Sequence, residues 1–126
     1  MKISIFSDEI NREDPLRAVE LAAEWGASHV EVRSLEGGRF PRTSNEELTS
    51  FYARVRDAGL AVSAVSPGFF KCPIDDPSVG EGLLDGLPRA CEWARRWGTD
   101  LVSCFGFDRG EGEQAPSEVV DRVGEM

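Results

Sequence analysis

The chain alternates short apolar runs with segments of helical periodicity, and about four such units follow one another. Ile3-Ser4-Ile5 lies within Lys2 to Phe6, which reads as the first strand. Asp14 then offers an N-cap and Pro15 the first helical position. Leu16, Val19 and Ala23 fall on one face of the predicted helix, and Trp25-Gly26 closes it with glycine at the left-handed position. The second unit opens with "HVEVRSL". Its helix is predicted to start at Ser44, with Glu47 completing a capping box. Leu48, Phe51, Tyr52 and Val55 follow at helical spacing, and Gly59 ends the segment. "LAVSAVS" is the third strand. After a loop, a helix runs to Trp97-Gly98, with Leu87, Cys91 and Ala94 expected on its inner face. Pro88 lacks an N–H, so that helix is expected to restart near Asp85 or to kink. "DLVSCFGF" reads as a fourth strand, followed by a helix from near Pro116 with Val119, Val120 and Val123 as its apolar face.

Gly26, Gly59 and Gly98 mark the repeat, 33 and 39 residues apart. Repeating βα units of this length imply a parallel sheet with crossover helices. Two architectures fit. One is an open doubly wound sheet. The other is half of an eight-fold βα barrel, whose full form takes ~250 residues. Four units in 126 residues is the half-barrel count. No linker or low-complexity segment divides the chain, so residues 1–126 are expected to form one domain.

Composition changes this picture little. An apolar fraction of 40% suits a globular core, and no apolar run approaches the ~20 residues that span a bilayer. The N-terminus lacks a secretory signal pattern, and a cytoplasmic location is expected. Charge is more informative. With 14 basic and 23 acidic residues the net charge is −9. That excludes a nucleic-acid surface, which needs clustered Lys and Arg. Cys72, Cys91 and Cys104 are odd in number and widely spaced, as expected of reduced thiols rather than a C-x-x-C site.

In both architectures ligands bind beyond the carboxyl ends of the strands. After strand one come Asp8 and Glu9. Along strand two, Val30 and Val32 face one way and Glu31 and Arg33 the other. Inside a barrel, Glu31 and Arg33 are either a structural ion pair or part of a site, and they are expected at least to neutralise each other. The loop after strand two carries Arg39 and Arg42, the next carries Lys71, and the last carries Arg109. Cations on three successive loops of an acidic chain fit an anionic small molecule, a sugar phosphate or sugar acid. His29, the single histidine, starts strand two, away from those ends, and is expected to pack rather than to catalyse. Trp25, Trp93 and Trp97 are expected in the core. No G-x-G-x-x-G, P-loop or nucleophile elbow is present.

"FSDEI", "HVEVRSLEG", "AVSAVSPGFFKCPIDDP" and "CEWARRWGTDLVSCFGF" together resemble the sugar phosphate isomerase/epimerase family, which has the xylose-isomerase-like TIM barrel. The resemblance covers nearly the whole chain and corresponds to the N-terminal half of such a protein. It implies interconversion of aldoses and ketoses, or epimerisation next to a sugar carbonyl. It also implies a divalent metal, Mn or Mg, that polarises sugar oxygens while carboxylates move a proton. In that family the metal ligands come from later strands, so no ligand is carried onto this chain. The substrate-facing residues that carry over are Glu9, Glu31, Arg33 and Lys71, with Glu31 the most characteristic; Arg109 joins them as the cation of the fourth loop. The implied partners are a sugar or sugar phosphate and either a second copy or a C-terminal half. Two other readings stay in view. One is a non-catalytic sugar-binding or scaffold half-barrel. The other is a receiver-like module, which needs an Asp where Ser66-Pro67 stands and a Lys after a fifth strand.

Overall fold

A computed structural model describes residues 1–108 and 117–125. The chain begins with β1 (Ser4–Phe6), which runs directly into a one-turn helix, α1 (Ser7–Ile10). Helix α2 (Pro15–Glu24) leads to β2 (His29–Val32), and β2 leads to a small hairpin of β3 (Ser34–Leu35) and β4 (Gly38–Arg39). Helix α3 (Asn45–Asp57) precedes β5 (Ala61–Val65). A single turn, α4 (Ser78–Glu81), passes through a π-helical turn at Gly82–Gly86 into α5 (Leu87–Arg96). Helix α6 spans Ser117–Glu125.

Strands β1, β2 and β5 form a parallel sheet in chain order, with β2 in the middle. A doubly wound sheet reverses its strand order at a switch point. The described strands have no such reversal, and of the two expected architectures the barrel-like one remains. The fourth strand is shorter than expected. It is a single parallel bridge between Val65 and Val102, in which Val65 N donates to Leu101 O at 3.0 Å and Ser103 N to Val65 O at 2.9 Å. The reason lies in its neighbour. β5 stops at Val65, and Pro67 just beyond has no N–H to extend a ladder. The chain instead fastens to the loop after β5, where Phe105 N donates to Phe69 O and Asp108 N to Cys72 O.

The helix ends form as local chemistry requires. Asp14 accepts from Arg17 N at 2.9 Å, and Ser44 accepts from Glu47 N at 3.1 Å. The second half of the capping box does not form, because the Glu47 carboxylate accepts from Gly37 N of the hairpin. Gly26, Gly59 and Gly98 all adopt positive φ, at 80°, 73° and 79°. That is the left-handed conformation a helix-ending glycine supplies without steric cost.

One core cluster joins the sheet to α2, α3 and α5. Val30 and Val32 are fully buried, as their alternation predicts. In β5 the buried residues are Val62 and Val65, three apart rather than two. The pairing shifts between Val30 and Glu31, which leaves Ser63 as an extra residue. Such a bulge re-aims the residues after it. Two helix faces are turned relative to expectation. On α2 the buried residues are Pro15, Ala18, Val19 and Ala22, while Leu16 is exposed. On α5 they are Ala90, Trp93 and Ala94, followed by Trp97, with Leu87 and Cys91 only half-buried. The π turn explains the second case. Pro88 cannot donate to the carbonyl of Leu84, and the wider turn absorbs the lost bond and rotates the helix beyond it.

Trp97 is the centre of an aromatic cluster, with ring centroids 5.2 Å from Phe40, 5.8 Å from Trp93, 5.9 Å from Tyr52 and 6.1 Å from Phe51. Trp25 departs from the expected core position and is exposed. It occupies the same helix-end position as Trp97, but no described neighbouring helix covers it. No helix among the described residues is long and apolar enough to cross a membrane. Cys72, Cys91 and Cys104 are all free thiols.

Candidate functional site

The carboxyl end of β1 turns at once into α1, and this swings Asp8 inward and Glu9 outward. β2 ends one residue before Arg33, and the hairpin beyond it draws the chain back across the strand ends. Arg33 therefore reaches α1. Its Nε donates to Asp8 Oδ2 at 2.9 Å, and its Nη2 lies 3.1 Å from Glu9 Oε1. The guanidinium also stacks on the Phe6 ring, 4.9 Å from the centroid. The two carboxylates differ in setting, since the Asp8 side chain is 5% exposed and that of Glu9 is 59% exposed. Arg33 is held in its charged form first by the Asp8 hydrogen bond, against the opposing effect of burial.

This pairing corrects the expectation that Glu31 and Arg33 neutralise each other. Glu31 is half-buried on β2 beside Phe6, its register partner on β1. Burial pushes its carboxyl above the usual range, and the Arg33 charge offsets this only in part. Among the described residues Glu31 has no ion-pair partner, while Arg33 is taken by Asp8 and Glu9. A carboxylate with a raised pKa and no partner, beside a fixed cation, suits proton transfer or a hydroxyl ligand.

The sheet continues this polar face. Ser4 Oγ and Ser63 Oγ are 2.6 Å apart, and the bulge that places Ser63 there is invisible in the sequence. The loop after β5 meets the chain beyond Val102. Phe70 and Phe107 both adopt positive φ, 64° and 69°, and their rings meet at a tilt of 37° with centroids 5.2 Å apart. Left-handed backbone at a non-glycine residue costs about 1–3 kcal/mol and gathers at ligand sites. Lys71 lies over the Phe105 ring at 5.3 Å, on a different loop from the Asp8–Arg33–Glu9 group. Arg109 and Pro116 lie outside the described residues. The structure thus brings Glu9 and Arg33 together, sets Glu31 on the adjoining strand, and leaves Lys71 on the rim of the next loop. Asp8 is the inward partner of Arg33, and Glu9 lies exposed at the rim. The adjacent acids carry no local signal of which one turns inward.

His29 is remote from these ends, with Nδ1 2.8 Å from Ser28 Oγ. No group of three or more His, Cys, Asp or Glu side chains among the described residues is arranged to hold a metal ion. These residues therefore do not fit the divalent metal that the family resemblance implies. A cleft of about 360 Å³ lies to one side, between Arg42, Phe69 and the π turn with Glu81 and Asp85.

No family model matches the chain, and no curated protein matches it with significance. Solved structures do match. The arrangement is that of part of a TIM-type βα barrel. One such match is a crystal structure of D-psicose 3-epimerase with D-tagatose from Clostridium cellulolyticum H10, with a TM-score of 0.67 and 14% identity. The match covers 99% of this chain and 48% of that one, so the chain spans about half the length of that protein. At this identity the likeness shows the fold.

Proposed function

We propose that this chain forms the substrate-facing half of a sugar or sugar phosphate isomerase/epimerase-type barrel. The observation that carries the reading is the Asp8–Arg33–Glu9 group at the ends of β1 and β2, set beside an unpaired Glu31 with a raised pKa. The likeness to a sugar epimerase supports it. Arg33, fixed by two carboxylates and the Phe6 ring, presents its remaining N–H groups to sugar oxygens. Glu31 accepts a hydrogen bond from a sugar hydroxyl, or a proton from a carbon next to the carbonyl. Glu9 and Lys71 lie at the rim of the same mouth. The Mn or Mg ion of such chemistry would take its ligands from outside the described residues, and four further βα units, from a second copy or from additional sequence, would close the barrel.

The alternative is a non-catalytic sugar-binding or scaffold half-barrel. The observation in its favour is that Arg33 already has two carboxylate partners, as in a purely structural clamp.

Glu31→Gln tests whether a sugar binds at this mouth through Glu31, which a scaffold does not require. Titration of the chain with D-tagatose, followed by NMR shifts, is expected to give an affinity about tenfold weaker in the variant, or about 1.4 kcal/mol. Equal affinities would move the assignment to the scaffold reading. A stability profile against pH checks the variant independently. The folded-state pKa of Glu31 is raised, so its contribution to stability is fully present below the ordinary carboxylate range and is lost as pH rises through the folded value. Glu31→Gln is therefore expected to match the parent in acid and to be the more stable of the two at neutral pH.

A further inference from the structure

The β3–β4 hairpin gathers positive charge in one place on an otherwise acidic chain. Arg39 is half-buried, and its Nε donates to Pro67 O at 3.2 Å. Its guanidinium packs against Gly68, where an added Cβ would meet its atoms at 2.6 to 2.9 Å and displace it. The two Nη groups of Arg39 have no hydrogen-bond partner among the described residues. Arg39 borders a cleft of about 190 Å³, lined also by Arg12, Ser34, Leu35, Glu36 and Gly38. Arg12 is exposed and has no ion-pair partner among the described residues. Arg39 is easier to deprotonate than an ordinary arginine, first because of burial and then because Arg33, Arg12 and Arg42 all repel its charge. Asp8 opposes this, but its carboxylate is already committed to Arg33. Crowded cations repel one another, and a bound anion offsets that repulsion.

We propose that this cleft binds an oxyanion, the phosphoryl or carboxylate group of a small-molecule ligand, held between the guanidiniums of Arg12 and Arg39. Two guanidiniums supply the several converging N–H donors that a tetrahedral phosphoryl group or a carboxylate takes up in pairs. Glu36 lines the same cleft and opposes an anion, so binding depends on both arginines together. The site lies beyond β2 at the edge of the strand ends, a short step from Arg33 along the chain. It gives the sugar-isomerase reading a charged substrate class, and it rests on that reading only for the rest of the ligand.

The test is a titration of the full chain with inorganic phosphate at low ionic strength, followed by NMR shifts. Saturable binding is expected. Arg12→Gln and Arg39→Gln are each expected to weaken it about tenfold or more, and added salt is expected to weaken it further. Arg39→Gln also releases the Pro67 carbonyl, so a loss there has two causes. Arg12 bonds nothing among the described residues, and Arg12→Gln keeps the test decisive. Absence of saturable phosphate binding, or equal binding by Arg12→Gln, overturns the proposal. Displacement of phosphate by D-gluconate supports the oxyanion site and assigns it to sugar acids; no displacement supports it and assigns it to phosphate esters. D-tagatose binding without phosphate binding overturns this site and leaves the proposed function standing. Phosphate binding without D-tagatose binding does the reverse.

Discussion

Trp97→Ala is expected to destabilise the fold by about 3–5 kcal/mol in denaturant unfolding, the largest effect of any single change considered. Trp97 is 2% exposed and, among the described residues, is the one that touches aromatic rings from the hairpin exit, α3 and α5 together. Removing it leaves a void that Phe40, Phe51, Tyr52 and Trp93 cannot all collapse into, because they are anchored on three different backbone segments. The indole Nε1 is buried without a hydrogen-bond partner. The loss is thus one of packing, and Trp97→Phe, which deletes that unpartnered N–H and keeps a ring, is expected to cost much less than alanine. A loss below about 1 kcal/mol for Trp97→Ala would show that the α3–α5 seam is not the centre of the core.

Arg33→Ala is expected to cost about 2 kcal/mol. Breaking a buried pair by removing one partner costs about 3–5 kcal/mol, and the partial exposure of Arg33 lowers this through solvent screening. The loss comes chiefly from Asp8, whose nearly buried carboxylate is left without its cation. Its Oδ1 already lacks a partner, so nothing else is placed to compensate. Glu9 contributes little, because an exposed pair is worth under about 1 kcal/mol. Glu9→Ala should therefore leave stability nearly unchanged while Arg33→Ala does not. Arg33→Lys keeps the charge but loses the two-pronged geometry and the flat contact with Phe6, and it should fall between. Comparable losses for Glu9→Ala and Arg33→Ala would mean that Glu9, not Asp8, holds the arginine.

Much of the fold was legible because it is written locally. Asp14 before Pro15, Ser44 three residues before Glu47, and glycine at 26, 59 and 98 each act on backbone within one helical turn. The alternation of Val30 and Val32 against Glu31 set the faces of β2. The presence of charge at the strand ends was legible for the same reason, since βα repeats put the loops after the strands on one rim. The partners of those charges were not. Glu31 and Arg33, two apart on one strand, read as a pair, yet Arg33 pairs with Asp8 and Glu9 across the end of the sheet. Glu47 was read as closing its own cap and instead holds Gly37.

The sequence by itself determined the N-caps of α2 and α3, the glycines that end three helices, the inward face of Val30 and Val32, and that parallel βα units follow one another; the apolar face expected of α6 did not hold at Val120, which is exposed. These depend on dihedral preference, capping and periodicity, which act over a few residues. Only the tertiary structure decided the bulge at Ser63, the rotation of α5 after its π turn, the shortening of the fourth strand to a bridge, and the inward choice of Asp8 over Glu9. Each of these depends on a contact between segments far apart in the chain. The free energy of such a contact depends on where the second segment lies, and no local pattern carries that information.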